Sequence, residues 1–261
     1  MPAFKNIILE DKEGVAVLTL NNPETRNALT EEMKDEILSA LGEVDGAEEL
    51  RALIITARGP AFCAGGDIKK IGGRLQPEEI RGVMIKSQDL LKRLIDLEKP
   101  VVTAVNGDAF GMGFNLVLVS DFAVASDRSR FCEVFVKIGA LPDFGALYFL
   151  PRIIGPLKTR ELVYFGGVIG AEEAKNMGLL YNVVPHDELE KESDALAGRL
   201  ARMPTKAIGR SKRLLKQAFD MTLDEVLSEE IEAQISLSQT EDHEEGLRAF
   251  LEKRKPVFKG R

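Results

Sequence analysis

Two glycine-rich segments, each following a short apolar run, constrain the fold of this chain more than any other feature. The first run, residues 53–57, precedes GPAFCAGGDIKK at 59–70, and the second, Val101–Val105, precedes a glycine-rich turn at 107–113. Short apolar runs are typical of buried strands, and glycines after a strand let backbone amides approach a ligand closely. Turns at the ends of neighbouring strands could converge on one oxygen atom. We therefore predict an oxyanion hole for a carbonyl group.

The composition is that of an ordinary soluble globular protein. The chain has 261 residues, 44% of them hydrophobic and 30% charged, which suits one large domain or a domain with an appendage. The formal net charge of -7 argues against nucleic acid as a partner, since binding to a phosphate backbone needs a basic face. An anionic ligand would need local basic residues.

The sequence carries no recognisable targeting, membrane-spanning or metal-binding pattern. Its start lacks the apolar core of a signal peptide, and Asn115, Ser120 and Asp121 interrupt the best candidate for a membrane span of roughly 18 residues. We therefore expect a cytoplasmic protein without membrane association. The two cysteines, Cys63 and Cys132, and the two histidines lack metal-ligand spacing. We expect no metal site and interpret the cysteines as small buried apolar residues.

The order of predicted elements repeats a strand–strand–helix unit along most of the chain. Each segment shows either the alternation of a strand or the spacing of an amphipathic helix. Such units in series indicate an α/β spiral of short sheets rather than a doubly wound dinucleotide-binding fold. The segments are a hairpin at 4–9 and 15–20, a helix at 31–41 capped by Thr30, a helix at 78–97, and strands at 122–125 and 131–135.

From residue 171 onwards the sequence predicts mostly helix. Thr222 and Glu225 fit a capping box before a long helix with apolar residues at helical spacing. We expect part of this apolar tail to pack on a neighbouring subunit, and folding over the chain's own core is the alternative. We divide the chain into a core at 1–195 and a C-terminal helical region at 196–261. The predicted helices span 172–177, 189–202, 205–219, 222–240 and 241–253.

Eight segments of the chain, taken in order, resemble the crotonase family, the enoyl-CoA hydratase/isomerase superfamily. They include NPETRNAL at 22–29, AFCAGGDIKK at 61–70, PVVTAVNGDAFGMG at 100–113 and KIGALPDFGALYFLPRIIG at 137–155. The resemblance covers essentially the full length, and its middle and terminal stretches look most like phenylacetate-pathway enoyl-CoA isomerases. It implies a crotonase-like spiral of ββα units with a C-terminal helical oligomerisation region, assembled as a homotrimer or a dimer of trimers.

The resemblance assigns the oxyanion hole to the backbone amides of Gly66 and Met112, in the two turns already singled out. Met112 would begin the helix after the second turn, so the helix dipole would add positive potential at a thioester oxygen. The resemblance also implies a CoA cleft, with an adjoining subunit able to supply the C-terminal residues, and no cofactor beyond the CoA moiety of the substrate. The implied cleft residues are Arg26, Ala28, Ala64, Asp67, Ile68, Phe258 and Lys259.

At two positions the sequence departs from the hydratases that it resembles. Those enzymes hold a water molecule between two glutamates, and the matching positions here are Asn115 and Phe135. The acid/base pair of hydration is therefore missing, and we do not expect hydration by that mechanism. Asp143 instead matches the acid/base aspartate of the similar isomerases, and apolar neighbours such as Leu141 would raise its pKa. A structural role as a turn aspartate after proline is the alternative.

These residues together predict an enzyme that binds an acyl-CoA thioester and shifts a carbon–carbon double bond. Asp143 would take a proton from one carbon and return it two carbons away, while the oxyanion hole stabilises the dienolate. One alternative is a hydratase or hydrolase that acts on an unusual acyl-CoA and uses Asp143 or Glu133 to handle water. The other is a non-catalytic acyl-CoA-binding or scaffolding member, which the loss of both glutamates motivates.

Glu133 is the reserve candidate for the acid/base role. We predict that it shares a strand face with Phe131 and Phe135, because alternate residues of a strand point the same way. A contact with solvent or with another subunit is its alternative role. The predicted substrate pocket comprises Asn115, Glu133, Phe135 and Leu141.

Overall fold

A computed structural model of the chain describes residues 4–67 and 76–261. Its strands are β1 (Ile7–Lys12), β2 (Val15–Leu20), β3 (Ala52–Ala57), β4 (Ala61–Cys63), β5 (Val101–Val105), β6 (Asp108–Phe110), β7 (Phe122–Ser126), β8 (Arg130–Cys132), β9 (Val168–Gly170) and β10 (Asn182–Val184). Its α-helices are α1 (Glu31–Gly46), α2 (Pro77–Asp96), α3 (Met112–Leu118), α4 (Ala146–Phe165), α5 (Ala171–Asn176), α6 (Leu189–Ala201), α7 (Thr205–Gln217), α8 (Leu223–Leu237) and α9 (Glu241–Leu251). Short 3-10 helices lie at Pro23–Thr25, Val134–Ile138, His186–Glu188 and Ala218–Asp220.

The described strands form two sheets. The larger sheet has the order β1-β2-β3-β5-β7-β10, and the smaller has the order β4-β6-β8-β9. In the larger sheet β1 is antiparallel to β2, and the remaining neighbours are parallel. The strand pairs β3/β4, β5/β6 and β7/β8 each place their first strand in the larger sheet and their second strand in the smaller one, whereas β1 and β2 both lie in the larger sheet. This arrangement confirms the predicted α/β spiral of ββα units.

The predicted hairpin and helix caps are present. The hairpin starts at Ile7 rather than residue 4, and Glu13 and Gly14 form its turn with φ values of 55° and 83°, as a tight hairpin turn requires. Thr30 Oγ1 accepts a hydrogen bond from the amide of the third helical residue of α1 at 3.1 Å. Thr222 and Glu225 form the predicted capping box at the start of α8. These local predictions are confirmed.

Both faces of the larger sheet are covered, as the alternation along β3 shows. Leu53 and Ile55 are buried in one apolar cluster with Ile37 of α1, whereas Ile54 between them is buried in a second cluster with Leu196 of α6. Successive side chains of a strand point to opposite faces, so a strand covered on both sides needs an uninterrupted apolar run. The position between residues 195 and 196 at which we divided the chain falls inside α6, and the division stays a prediction.

The predicted strand at residues 131–135 is wrong beyond Cys132. There the chain leaves β8 and enters the 3-10 helix Val134–Ile138. Cys132 pairs with Phe110, the last residue of β6, so the next residues have no strand to pair with. Glu133 lies between the two elements. The prediction that it shares a strand face with Phe131 and Phe135 is therefore also wrong.

Helix α4 was not predicted from the sequence. It contains Pro151 and Pro156, which interrupt regular helical hydrogen bonding. Gly155 has non-helical backbone angles, with a φ of 73°, so the chain bends there and Pro156 starts the second half of the helix. α4 therefore consists of two helical halves joined at Gly155, and Pro156 lies at the start of the second half.

The structure adds three observations on membrane, cysteine and metal patterns. No helix in the described part of the chain is long and apolar enough to cross a membrane. Cys63 and Cys132 are free and buried, as predicted. Within residues 4–67 and 76–261, no group of three or more His, Cys, Asp or Glu side chains is arranged to hold a metal ion.

Candidate active site

The two glycine-rich turns meet where the neighbouring strands β4 and β6 of the smaller sheet end. Each glycine-rich segment contains a short strand, β4 in the first and β6 in the second. The turns that meet are the residues directly after these two strands. β4 and β6 are parallel neighbours, so the chain leaves both at the same end. Gly65 and Gly66 after β4, and Gly111 and Met112 after β6, line one cavity of about 1040 Å³. The predicted convergence of the two turns is therefore present.

Glycine is required where the two turns touch. Gly65 has a φ of +100°, and a Cβ atom built on it would lie 2.8 Å from Phe110 O and 3.5 Å from Met112 N. A Cβ atom on Gly113 would lie 2.3 Å from Cys63 O. Any side chain at either position would push the turns apart.

The amides of Gly66 and Met112 are available to a ligand. Within residues 4–67 and 76–261 neither amide donates to a backbone carbonyl, whereas Gly111 N donates to Cys132 O at 2.8 Å and Gly65 O accepts from Leu29 N at 2.8 Å. The neighbouring peptide groups are thus held in place. Met112 also starts α3, where the first amides of a helix have no intrahelical acceptor and the dipole is positive. The role of this pair as an oxyanion hole stays a prediction.

Asp143 lines the same cavity and carries a buried oxygen, Oδ1, with no hydrogen-bond partner among the described residues. Burial raises the pKa of Asp143 to about 6, and the positive charge of Lys34 and a hydrogen bond to its own backbone amide oppose that rise. Phe144 and Gly145 follow with φ values of 48° and 78°. These two left-handed residues turn the chain sharply into α4. A carboxyl group with a pKa near neutrality can both accept and return a proton.

Asn115 supports the turn that carries Asp143. It is fully buried in α3 and is not part of the cavity lining. Its Nδ2 donates to Asp143 O at 3.0 Å, and its Oδ1 has no partner in the described part of the chain. An ionised glutamate has no N–H to donate, so the amide provides a contact that a carboxylate could not.

Glu133 lies behind the cavity wall rather than in the lining. It is 0% exposed, and neither carboxyl oxygen finds a hydrogen-bond partner within residues 4–67 and 76–261. Burial, and secondarily the negative charge of Asp143, raises the pKa of Glu133 to about 8. The two carboxyls therefore lie within electrostatic reach of each other. Their protonation is expected to be coupled.

Phe135 and Leu141 both line the cavity. The ring of Phe135 lies against the second turn, because a Cβ atom on Gly111 would be 3.5 Å from two of its ring carbons. An apolar ring thus lies beside the second turn, within the cavity lining. Leu141 is 69% exposed and stands at the rim.

The residues predicted for the CoA cleft divide into groups. Ala64 and Asp67 line the cavity, and Ala64 N donates to Arg26 O at 3.0 Å, which places the Arg26 backbone beside the first turn. The exposed Arg26 and the half-buried Ala28 are not in the lining. Ile68 lies outside the described residues.

Phe258 and Lys259 line a different cavity, of about 680 Å³. Arg51 also lines it and donates from Nη1 to Phe258 O at 2.7 Å. Within one chain these two C-terminal residues are therefore not brought to Ala64 and Asp67. Their contribution to the cleft of an adjoining subunit stays a prediction.

Sequence reasoning missed Asn27, which organises the loop before α1. Its Oδ1 accepts from Asn22 N at 2.8 Å, and its Nδ2 donates to Arg58 O and Ala61 O at 2.9 Å each. It has a positive φ of 54°, which asparagine tolerates better than most residues. The three bonds tie the loop to the start of β4 and so support the first glycine-rich turn.

Sequence reasoning also missed Lys34, which is 2% exposed and lines the cavity. The available signal was its position on α1. Lys34 lies next to Met33 and three residues before Ile37, on the apolar side of the helix.

Comparisons with known proteins agree with this fold along the whole chain. The family model for enoyl-CoA hydratase/isomerase matches residues 10–261. A crotonyl-CoA hydratase from Syntrophomonas wolfei subsp. wolfei is 37% identical, and a 1,2-epoxyphenylacetyl-CoA isomerase from Escherichia coli is 34% identical, each over 98% of both chains. The crystal structure of an enoyl-CoA hydratase from Bacillus anthracis matches with a TM-score of 0.93 and 31% identity, over 98% of this chain and 100% of its own. This chain therefore belongs to the enoyl-CoA hydratase/isomerase family of enzymes.

Proposed function

We propose that this protein is an enoyl-CoA isomerase in which Asp143 is the single acid/base. The observation that carries the proposal is a carboxyl group with a pKa of about 6 and one buried, unpartnered oxygen, in the same cavity as Gly66 and Met112. Two other carboxylates of the lining have partners, because Glu31 binds Lys34 and Glu79 accepts from Gln76 N. Relatives named as hydratases and relatives named as isomerases are both similar to this chain. The proposal of isomerisation is therefore argued from the cavity.

The proposed reaction moves one proton and no other atom. The thioester oxygen accepts hydrogen bonds from Gly66 N and Met112 N. The Asp143 carboxylate takes a proton from the carbon between the double bond and the thioester, and negative charge spreads to the thioester oxygen of a dienolate. Protonated Asp143 then donates to the far carbon and becomes a carboxylate again. Loss of one such amide donor typically lowers the rate on the order of 10²–10³-fold.

Hydration or hydrolysis of an unusual acyl-CoA is the second candidate. One observation favours it, namely that Glu133 lies within electrostatic reach of Asp143 and provides a second carboxyl. Its position behind the cavity lining and the ring of Phe135 beside the second turn weigh against an activated water molecule there. Non-catalytic binding of acyl-CoA is the third candidate, motivated by the absence of both hydratase glutamates.

The remaining proposals concern assembly, ligand and location. We propose a homotrimer or a dimer of trimers, in which Phe258 and Lys259 of one chain reach the CoA cleft of the next. The exposed apolar residues of α8 support an assembly. No cofactor besides the CoA moiety of the substrate is proposed. A cytoplasmic location also stays a proposal.

Wild type and Asp143→Asn incubated with a β,γ-enoyl-CoA in deuterated water test this function. Wild type should form the conjugated α,β-enoyl thioester, and deuterium should enter the γ carbon only to the extent that protonated Asp143 exchanges with the solvent before it returns its proton. Asp143→Asn should lose on the order of 10²–10⁴ in rate, the usual contribution of a general acid/base. Glu79→Gln is the matched control, because it removes a carboxylate from the lining and glutamine also suits a capping box. Its rate should stay within a few-fold of wild type.

Three results would contradict the isomerase proposal. Addition of water to a conjugated enoyl-CoA, read by mass, would identify a hydratase. Tight binding of thioesters without any turnover would identify a binding protein. Equal rates in wild type and Asp143→Asn would make Asp143 structural.

A further inference from the structure

Lys34 is a buried ammonium group in the cavity wall that the proposed reaction does not use. It lies on α1, is 2% exposed and lines the cavity. Lysine is almost never fully buried unless it is paired, since burial of an unpaired charge is unfavourable. The number of acceptors around Lys34 therefore decides whether one of its N–H groups is left without a partner.

The described residues provide two acceptors for the Lys34 ammonium group. Nζ lies 2.6 Å from Glu31 Oε1 and 3.0 Å from Ser87 Oγ. The Ser87 hydroxyl donates its own proton to Val83 O at 3.0 Å, one turn earlier in α2, so it accepts from Lys34 rather than donating. A lysine ammonium has three N–H groups. Residues 4–67 and 76–261 offer no third acceptor, so one N–H of Lys34 is unpaired among them.

The charges around Lys34 are already balanced within the chain. Glu31 also lies 3.6 Å from Lys86, and Lys86 lies 2.8 Å from Asp35. Two ammonium groups thus face two carboxylates. Asp143 lies within electrostatic reach of Lys34 and is acidic itself. A further carboxylate on the acyl group would be repelled by Asp143, whereas a neutral oxygen would not.

The wall near Lys34 is otherwise suited to an acyl chain. Leu29, Val83, Met84 and Leu91 line the same cavity. A fixed N–H donor in such a wall discriminates strongly between ligands, because an acyl group without an acceptor would cover the ammonium and leave its N–H unpaired.

We propose that the preferred acyl group carries a neutral hydrogen-bond acceptor, a hydroxyl or carbonyl oxygen, which accepts the free N–H of Lys34. The inference rests on the proposed acyl-CoA binding and adds the chemical class of the acyl group. Lys34 is accordingly a specificity residue. The thioester oxygen and the transferred proton are handled by the two amides and Asp143.

The test measures binding of saturated acyl-CoA thioesters, which cannot isomerise. Thioesters from butanoyl to decanoyl, each with and without a terminal hydroxyl, are titrated into the wild-type protein by calorimetry. At one chain length the hydroxylated ligand should bind about tenfold tighter or more, the usual effect of a hydrogen bond to a charged group. Lys34→Met keeps the apolar stem without an N–H, and it should abolish this preference. Lys34→Gln keeps an N–H donor and should retain part of it.

Lys86→Met is the matched control, because Lys86 belongs to the same group of charges but does not line the cavity. The hydroxyl preference should survive this change. Equal binding of both ligand series to wild type, or a preference that persists in Lys34→Met, would overturn the inference while leaving acyl-CoA binding intact. If no thioester binds, the proposed function fails and the inference fails with it. The wild-type comparison decides the matter even if Lys34→Met does not fold.

Discussion

Asp143 shows how the position of one carboxyl group determines its chemistry. Its raised pKa arises from burial against the cavity wall, and Lys34 limits the rise. The neighbouring Glu133 is buried more deeply and has the higher pKa, about 8. At neutral pH the first group is mainly a carboxylate, able to act as a base, and the second is mainly a neutral acid.

The rate of isomerisation should rise with pH through about 6, because only ionised Asp143 can take the substrate proton. Lys34→Met should move this rise to higher pH, since it removes the positive charge that lowers the pKa of Asp143. The measurement is kcat/KM for a β,γ-enoyl-CoA between about pH 5 and 9, where bell-shaped or sigmoidal profiles report such groups. A rate that does not change across this range would contradict an acid/base role for Asp143.

Glu133 should make the folded state less stable as pH rises. Its pKa is raised from 4.5 to about 8 on folding, so the folded chain holds a proton that the unfolded chain loses. The stabilisation is complete below about pH 4.5 and is lost as pH rises through about 8, with a slope of at most about 1.4 kcal/mol per pH unit for one proton. Glu133→Gln should flatten this slope in urea unfolding between about pH 6 and 8. Asp143→Asn should keep the slope but shift its upper end to lower pH, because it removes the negative charge that helps to raise the pKa of Glu133. An unchanged slope in Glu133→Gln would contradict this assignment.

At the scale of elements, the site depends on the contact between two turns. β4 and β6 are only three residues long each, and they bring the turns together because they are parallel neighbours. Backbone atoms meet there without a side chain between them. The same edge receives Asp143 from the turn before α4, which Asn115 of α3 holds.

Gly65→Ala should lower kcat/KM on the order of 10²-fold or more, because the added Cβ would lie 2.8 Å from Phe110 O and would separate the two amides. It should also destabilise the fold by about 1 kcal/mol or more, since φ is positive there. Gly42→Ala is the matched control, because it lies in α1 with nothing within 4 Å of the added Cβ. That change should leave activity unaltered and stabilise the helix by about 0.5–1 kcal/mol. Wild-type activity in Gly65→Ala would contradict the role of this contact.

At the scale of the whole molecule, the proposed assembly rests on exposed apolar surface. Leu223, Leu227, Ile231 and Ile235 recur at every fourth residue of α8 and are between 46% and 72% exposed. Residues four apart lie on one face of a helix, so they form a continuous apolar stripe. A stripe of this kind marks an interaction surface.

Light scattering should give a mass three or six times that of the chain. The double variant Leu227→Asp and Ile231→Asp should lower that mass, because it would bury unpaired charges in the contact. If Phe258 and Lys259 complete the cleft of a neighbouring chain, the variant should also bind CoA thioesters more weakly. A monomeric wild type would contradict the assembly.

Much of the architecture follows from local patterns in the sequence. The hairpin, the Thr30 and Thr222 caps and the two glycine-rich turns were predicted because alternation, capping and glycine depend on neighbours in the chain. Asp143 was predicted by resemblance, and its apolar neighbours correctly indicated a raised pKa. The family followed from the order of its motifs.

Only the tertiary structure decided which charged groups are buried and where strands end. β8 ends at Cys132 because its partner strand β6 ends at Phe110. Phe110 lies 22 residues before Cys132 in the sequence, so no local pattern around Glu133 reveals this limit. Lys34 can be buried in the cavity wall because its ammonium group donates a hydrogen bond to Ser87 of α2, which lies 53 residues further along the chain. Strand pairing and burial depend on residues distant in sequence, whereas propensity and capping do not. For this reason the sequence determined the units and their turns, and the packing of those units determined the chemistry of the cavity.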